Sequence, residues 1–153
     1  MDRSIDRNIN QLHPSKILDE MGISWNDNLE TKTSKLYQKV SRVIPDIEWP
    51  FFAPYIEAIN ILKKEKGATI LAHNYQTPEI FHCVSDVSGD SLQLAKEATK
   101  VDSEIIIQCG VYFMAETSKI LNMDKKIIIP SLDAGCSLAV SYTHLTLPTK
   151  RSV

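Results

Sequence analysis

Apolar residues in this chain follow two different grammars. From Thr31 to Val43, the positions Leu36, Tyr37, Val40 and Val43 recur at helical spacing until Ile44-Pro45 ends the run, which predicts an amphipathic helix. A second helix is predicted from about Pro54 to Lys66. It has Tyr55, Ile56, Ile59 and Leu62 on one face, lysines in its last turn and Gly67 just beyond its end. The first thirty residues show no sustained period, so 1–30 reads as a loosely ordered extension.

After Gly67 the pattern changes to short continuous apolar runs: Thr69-Ile70-Leu71-Ala72-His73, Glu104-Ile105-Ile106-Ile107-Gln108 and Lys126-Ile127-Ile128-Ile129-Pro130. Runs of this length and composition predict strands buried on both faces. Between the first two, Gly89-Asp90-Ser91-Leu92 opens a helix in which Asp90 can cap and Gln93 falls three residues later. Between the last two, a helix from about Phe113 to Leu121 is ended by Asn122. The expected fold is α/β: a three-layer αβα domain with a short parallel sheet in β-α-β-α-β order, preceded by N-terminal helices. Parallel strands end on one edge. The segments after Ala72, Gln108 and Ile129 therefore meet there, where open α/β sheets bind ligands.

The composition narrows the classes of function. At 153 residues with 43% hydrophobic positions the chain can bury one core, and its net charge of −2 with no dense Lys/Arg cluster argues against nucleic acid. The apolar runs fall far short of the ~20 residues that cross a bilayer. No apolar signal segment opens the N-terminus, so a cytoplasmic location is expected. Three cysteines, Cys83, Cys109 and Cys136, lie at intervals of 26 and 27 residues, which favours free thiols or metal ligands over a disulfide framework.

The common edge should collect His73-Asn74-Tyr75-Gln76, Cys109-Gly110-Val111-Tyr112 and Ser131 to Cys136. An imidazole beside a phenol can serve acid-base chemistry, although the same four residues also make an ordinary polar turn closing a strand, which is the commoner case. Asp90-Ser91 at a helix start can hold an anion on free backbone N–H groups, or simply cap the helix. Gly89-Asp90-Ser91-Leu92 also matches the nucleophile block of GDSL-type hydrolases, but Ser91 opens a helix and no Asp-x-x-His follows. Cys83, in the short helical stretch Glu79 to Val84, reads as packed, and His82 is given no role. Cys136, in a glycine-containing loop, is exposed enough to bind metal, but one thiolate makes no site.

Four ordered blocks change the balance. Ile70-Leu71-Ala72-His73-Asn74-Tyr75-Gln76, Gly89-Asp90-Ser91-Leu92, Cys109-Gly110-Val111-Tyr112-Phe113-Met114-Ala115-Glu116-Thr117 and Ala134-Gly135-Cys136-Ser137-Leu138-Ala139 resemble, in order and spacing, the quinolinate synthase family. The likeness spans about Leu36 to Ala139. It implies an enzyme of de novo NAD biosynthesis that condenses iminoaspartate with dihydroxyacetone phosphate to quinolinate, losing phosphate and two waters. L-aspartate oxidase is the implied functional partner. It further implies three pseudo-repeated α/β domains around one [4Fe-4S] cluster, each giving one cysteine. By the same resemblance Cys136 is the cluster ligand of this domain. His73 and Tyr75 are active-site groups handling substrate and protons, Ser91 holds a substrate anion, and Glu116 is a further substrate contact. Cys83 and Cys109 fall on no cluster position.

The resemblance assigns 31–139 to the first of these domains, with the remaining two ligands expected after Ala139, so that this chain alone is expected to be inactive. Residues 140–153 do not resemble the family. Val140 to Leu145 is similar to a reading frame of a sequencing adapter, and 140–153 is read as a non-native tail. A non-catalytic α/β anion-binding module using the Ser91 helix start is the alternative, and a GDSL-type hydrolase ranks below it.

Overall fold

Three helices lead into the sheet. The computed structural model of the protein describes residues 13–136. Helix α1 (Pro14–Met21) starts on a proline that needs no N–H partner, takes a bond from Ser15 N–H to the His13 ring, and ends at Gly22 with φ 65°. Helix α2 (Asp27–Val40) is capped by Asn26, whose side chain accepts from Leu29 N–H at 3.0 Å. Residues 13–30 thus carry a whole helix and the start of another, where a loosely ordered extension was expected. The caps are local, but the burial that holds α2 is tertiary: Leu29 and Thr33 are buried, and Trp49 Nε1 donates to Thr33 Oγ1 at 3.2 Å. Residues 1–12 lie outside the described residues.

Helix α3 (Trp49–Glu65) begins five residues before the expected start, with Pro50 in its first turn. Pro54 therefore sits inside the helix, not at its beginning. It is buried, as are Ala53 and Ile56.

Strand β1 (Ala68–His73) is central, flanked by β2 (Val87–Gly89) and β3 (Ile105–Cys109), and β4 (Lys126–Ile128) extends the sheet past β3. All pairings are parallel. The expected α/β class holds, but the sheet has four strands in the order β2-β1-β3-β4, where three were expected. The added strand β2 has three residues and sits at an edge, and Val87-Ser88-Gly89 offers no apolar run to reveal it. It is preceded by a π-helical turn, Ile80–Val84, closed by Ser85 N–H to Ile80 O at 3.0 Å.

Alternation along β1 divides the core. Ile70 packs with Val40, Ile44, Trp49, Ala53, Ile56, Cys83 and Val84 on the side of α2 and α3. Leu71 packs with Leu94, Ala98, Ile106 and Met114 under α4 (Ser91–Ala98) and α5 (Tyr112–Leu121) on the other side. Burying each such side chain is worth roughly 1.5–3 kcal/mol, which makes the central strand the anchor of both layers. Asp86 fixes the approach to β2. Its carboxylate accepts from Ile70 N–H at 2.9 Å and from Lys63 Nζ at 2.7 Å, and Lys63 also reaches Val84 O at 2.7 Å.

Candidate active site at the carboxyl edge of the sheet

Strand register brings the edge residues together. Ala72 pairs with Cys109 and His73 with Gly89, so the turns that follow β1, β2 and β3 leave the sheet side by side. Asn74 N–H donates to Gly89 O at 3.0 Å and Gln76 N–H to His73 O at 2.9 Å, which closes a tight turn over the tip of β1. Within that turn the rings of His73 and Tyr75 lie 4.7 Å apart, edge to face. Tyr75 N–H donates to His73 Nδ1 at 3.3 Å. With Nδ1 accepting, the neutral ring carries its proton on Nε2 and presents it there as a hydrogen-bond donor. His73 is half-buried, whereas Tyr75 is 91% exposed, so its phenol stands free above the edge.

Gly110 lets β3 approach both neighbours closely. A Cβ at that position would lie 3.0 Å from Met114 Sδ and 3.6 Å from His73 Cβ. Helix α5 then starts at Tyr112, and the Tyr112 N–H, one of its unpaired first-turn donors, reaches Ala134 O at 2.8 Å. That bond draws the loop after β4 back to the same edge. Gly135 N–H to Asp133 O at 2.7 Å tightens it, and half-buried Cys136 follows at once. His73, Tyr75 and the Cys136 loop therefore share one edge, as their positions in the sequence led us to expect.

Ser91 belongs to that edge as well. Gly89 ends β2, Asp90 caps α4 by accepting from Gln93 N–H at 2.8 Å, and half-buried Ser91 is the first helical residue. The first turn leaves the N–H groups of Ser91 and Leu92 for a ligand, but the Asp90 carboxylate has taken the Gln93 N–H and offsets the helix dipole with its own charge. A lone anion is therefore held less strongly here than at an uncharged cap, which weakens the binding-module alternative. The hydrolase alternative also loses ground, since the Nδ1 of His73 is engaged by the Tyr75 backbone and Ser91 opens a helix.

Glu116 lies apart from this group. It is exposed one turn into α5 and lines an open cleft of about 710 Å³ with Tyr112, Lys119, Ile127, Ile129 and Leu132, beside the outer strand β4.

The three thiols differ in setting. Cys83 is buried in the core under α2, 3.6 Å from Leu36 O, and burial raises its pKa. Cys109 is half-buried at the tip of β3, and burial raises its pKa too. Cys136 is a free thiol on the edge loop. A soft sulfur donor there suits iron, but among the described residues no three His, Cys, Asp or Glu side chains cluster as a metal site.

The sequence reading missed the Asp86 clasp and a polar pair in the α5 layer, where Ser118 Oγ meets Gln108 Oε1 at 3.1 Å while Gln108 Nε2 has no partner. Gln108 could have been flagged as a lone amide closing an apolar run. No helix among the described residues is long and apolar enough to cross a membrane.

Comparison with known proteins places this arrangement. The family described as quinolinate synthetase A protein matches residues 57–151. Quinolinate synthase of Sinorhizobium fredii is 58% identical over 127 residues, covering 83% of this chain and 35% of the relative. Quinolinate synthase 1 of Mesorhizobium japonicum is 61% identical over 111 residues, 72% of this chain and 34% of the relative. Quinolinate synthase of Caulobacter vibrioides is 58% identical over 115 residues, 75% and 31%. The chain spans about a third of the length of these relatives. The family match runs through residue 151 and so includes most of the stretch read from sequence as a non-native tail, which lies outside the described residues.

Proposed function

Because this chain belongs to the quinolinate synthetase A family, we propose that it supplies the first of three domains of a quinolinate synthase in de novo NAD biosynthesis, condensing iminoaspartate with dihydroxyacetone phosphate. One observation carries the reading: a turn holding His73 and Tyr75 and a loop holding Cys136 close on the same sheet edge through the Tyr112 to Ala134 bond.

Each edge residue has a task that its geometry suits. His73 donates a hydrogen bond from Nε2–H to a substrate oxygen that gains negative charge, its Nδ1 being tied to the backbone of Tyr75. The free phenol of Tyr75 donates to a substrate oxygen. Ser91 Oγ, with the Ser91 and Leu92 N–H groups, binds the phosphate end of the triose, and Glu116, on the cleft that Tyr112 also lines, makes a further contact only with a substrate that extends from the edge into that cleft. Cys136 gives one thiolate to a [4Fe-4S] cluster, whose other two protein ligands come from the remaining domains. When bound, such a cluster with an open iron supplies Lewis-acid assistance to the loss of hydroxide from substrate. Among the described residues only two cysteines lie at this edge, Cys136 on its loop and Cys109 half-buried at the tip of β3, and the Tyr75 phenol is open to solvent, which supports the view that this chain alone is inactive. L-aspartate oxidase would supply the iminoaspartate, in the cytoplasm.

The test uses the full-length protein from the intact gene, purified without oxygen. It should carry four irons and make quinolinate from the two substrates. Cys136→Ser should lose most of that iron, because a hydroxyl is a poor substitute for a soft thiolate. Full iron content in that variant would overturn the assignment.

A further inference from the structure

On the side of the molecule built by α2 and the start of α3, away from the sheet edge, lies a small cavity of about 110 Å³ lined by Trp25, Glu30, Ser34, Tyr37, Asp46 and Trp49. Three of these six side chains are aromatic and two are carboxylates. Tyr37 and Trp49 form a tilted pair with ring centroids 5.1 Å apart. Their polar tips are both spent inward, Tyr37 Oη donating to Ile44 O at 3.3 Å and Trp49 Nε1 to Thr33 Oγ1 at 3.2 Å. Neither tip is left free for a ligand in the cavity. Trp25, half-buried in the link between α1 and α2, adds a third ring.

Glu30 and Asp46 stand exposed at this cavity, and among the described residues neither enters an ion pair. Burial raises the pKa of the Tyr37 phenol, and the negative charge of neighbouring Asp46 adds to the rise. Ring faces carry negative electrostatic potential and attract a cation lying within about 6 Å of their centre, more so when part of its water shell is removed. Carboxylates beside those rings add to the same preference. The volume equals that of roughly three or four liquid-phase waters, which suits one compact head group and excludes a nucleotide or sugar phosphate.

We propose that this aromatic and acidic cavity binds a single compact organic cation, an alkylammonium or guanidinium head group. The same chemistry is offered by a free small cation and by the end of a lysine or arginine side chain of another polypeptide. The site is independent of the sheet edge and needs no iron.

The chain contains only two tryptophans, Trp25 and Trp49, and both line the cavity, so its intrinsic fluorescence reports on this place alone. The 153-residue chain should be titrated with tetramethylammonium, ethylguanidinium and the neutral isostere tert-butanol. A saturable change with the cations and none with the alcohol is expected. Glu30→Gln combined with Asp46→Asn, both at exposed positions that leave the core intact, should weaken cation binding roughly tenfold. Trp25→Leu should weaken it as well, with Trp49 still reporting. A blocked single-residue arginine amide and an arginine-containing peptide separate the two sources: tighter binding of the peptide than of the amide identifies a polypeptide partner, and equal binding a free cation. Cation responses no larger than that of tert-butanol, or unchanged in the double carboxylate variant, would overturn the proposal.

Discussion

The backbone N–H of Tyr112 donates to the carbonyl oxygen of Ala134 at 2.8 Å, which joins the first residue of helix α5 to the loop that follows the last strand. The donor is one that any helix leaves unpaired, so the loop is held without a dedicated side chain. Through this bond a cysteine 63 positions after His73 returns to the edge that His73 occupies.

Cys83 provides the counterpart to Cys136. Its thiol is packed in the core, so Cys83→Ser in the full-length protein should keep the iron content of the parent while lowering stability by about 1 kcal/mol through burial of a hydroxyl. Iron analysis and thermal unfolding of the same preparation check both halves. Iron loss matching that of Cys136→Ser would mean that the ligand has been misassigned.

His73→Ala should retain the cluster spectrum and lose turnover by a factor on the order of 10²–10³, the usual range for removal of one donor to a charge that develops in the reaction. A parent-like rate would remove His73 from the reaction.

Asp86→Asn keeps the shape of the clasp but removes the charge that holds Lys63 Nζ, whose side chain is only 12% exposed. The expected loss is about 1–3 kcal/mol, since a poorly hydrated ammonium is left with one carbonyl partner. Denaturant unfolding measures this directly. Lys63→Met in the same background should recover part of the loss, because the stranded charge is then gone.

Ser118→Ala should destabilise the chain by about 1–2 kcal/mol, leaving Gln108 with no side-chain partner at either end of its amide. The double variant Gln108→Met with Ser118→Ala should be at least as stable as the parent, since it removes both buried polar groups and the orphaned Nε2 together. Unfolding midpoints of the two variants decide the matter.

Much of this architecture could be read from the residues, and the reasons differ by element. The Ile70-Leu71-Ala72 run of β1 announces a strand because a sheet covered on both faces demands continuous apolar sequence, whereas the isoleucine runs of β3 and β4 announced strands without the expected burial on both faces, β3 alternating and β4 exposed at Lys126 and Ile128. The Asp90 cap was visible because capping is a local bond from a side chain to the backbone three residues on. Strand β2 was hidden: its three residues owe their conformation to pairing with Leu71, Ala72 and His73, a partner no short window contains. Helices α2 and α3 were expected but begin four to five residues earlier than their periodicity suggested, their first turns being held by distant groups such as the Trp49 to Thr33 bond, while α1, which buries no residue, was not expected. In the site, parallel topology alone located the shared edge. The Tyr112 to Ala134 bond that seats the Cys136 loop joins backbone atoms and leaves no trace in residue type.

The cleft beside β4 has a practical cost for anyone handling the chain. Ile120 and Leu132, both more than half exposed, line it, next to a strand that among the described residues pairs on one side only. Greasy surface bordering an open ladder invites copies to stick, so turbidity should climb with protein concentration sooner than the net charge of −2 would suggest. Mild detergent or dilution should hold it back.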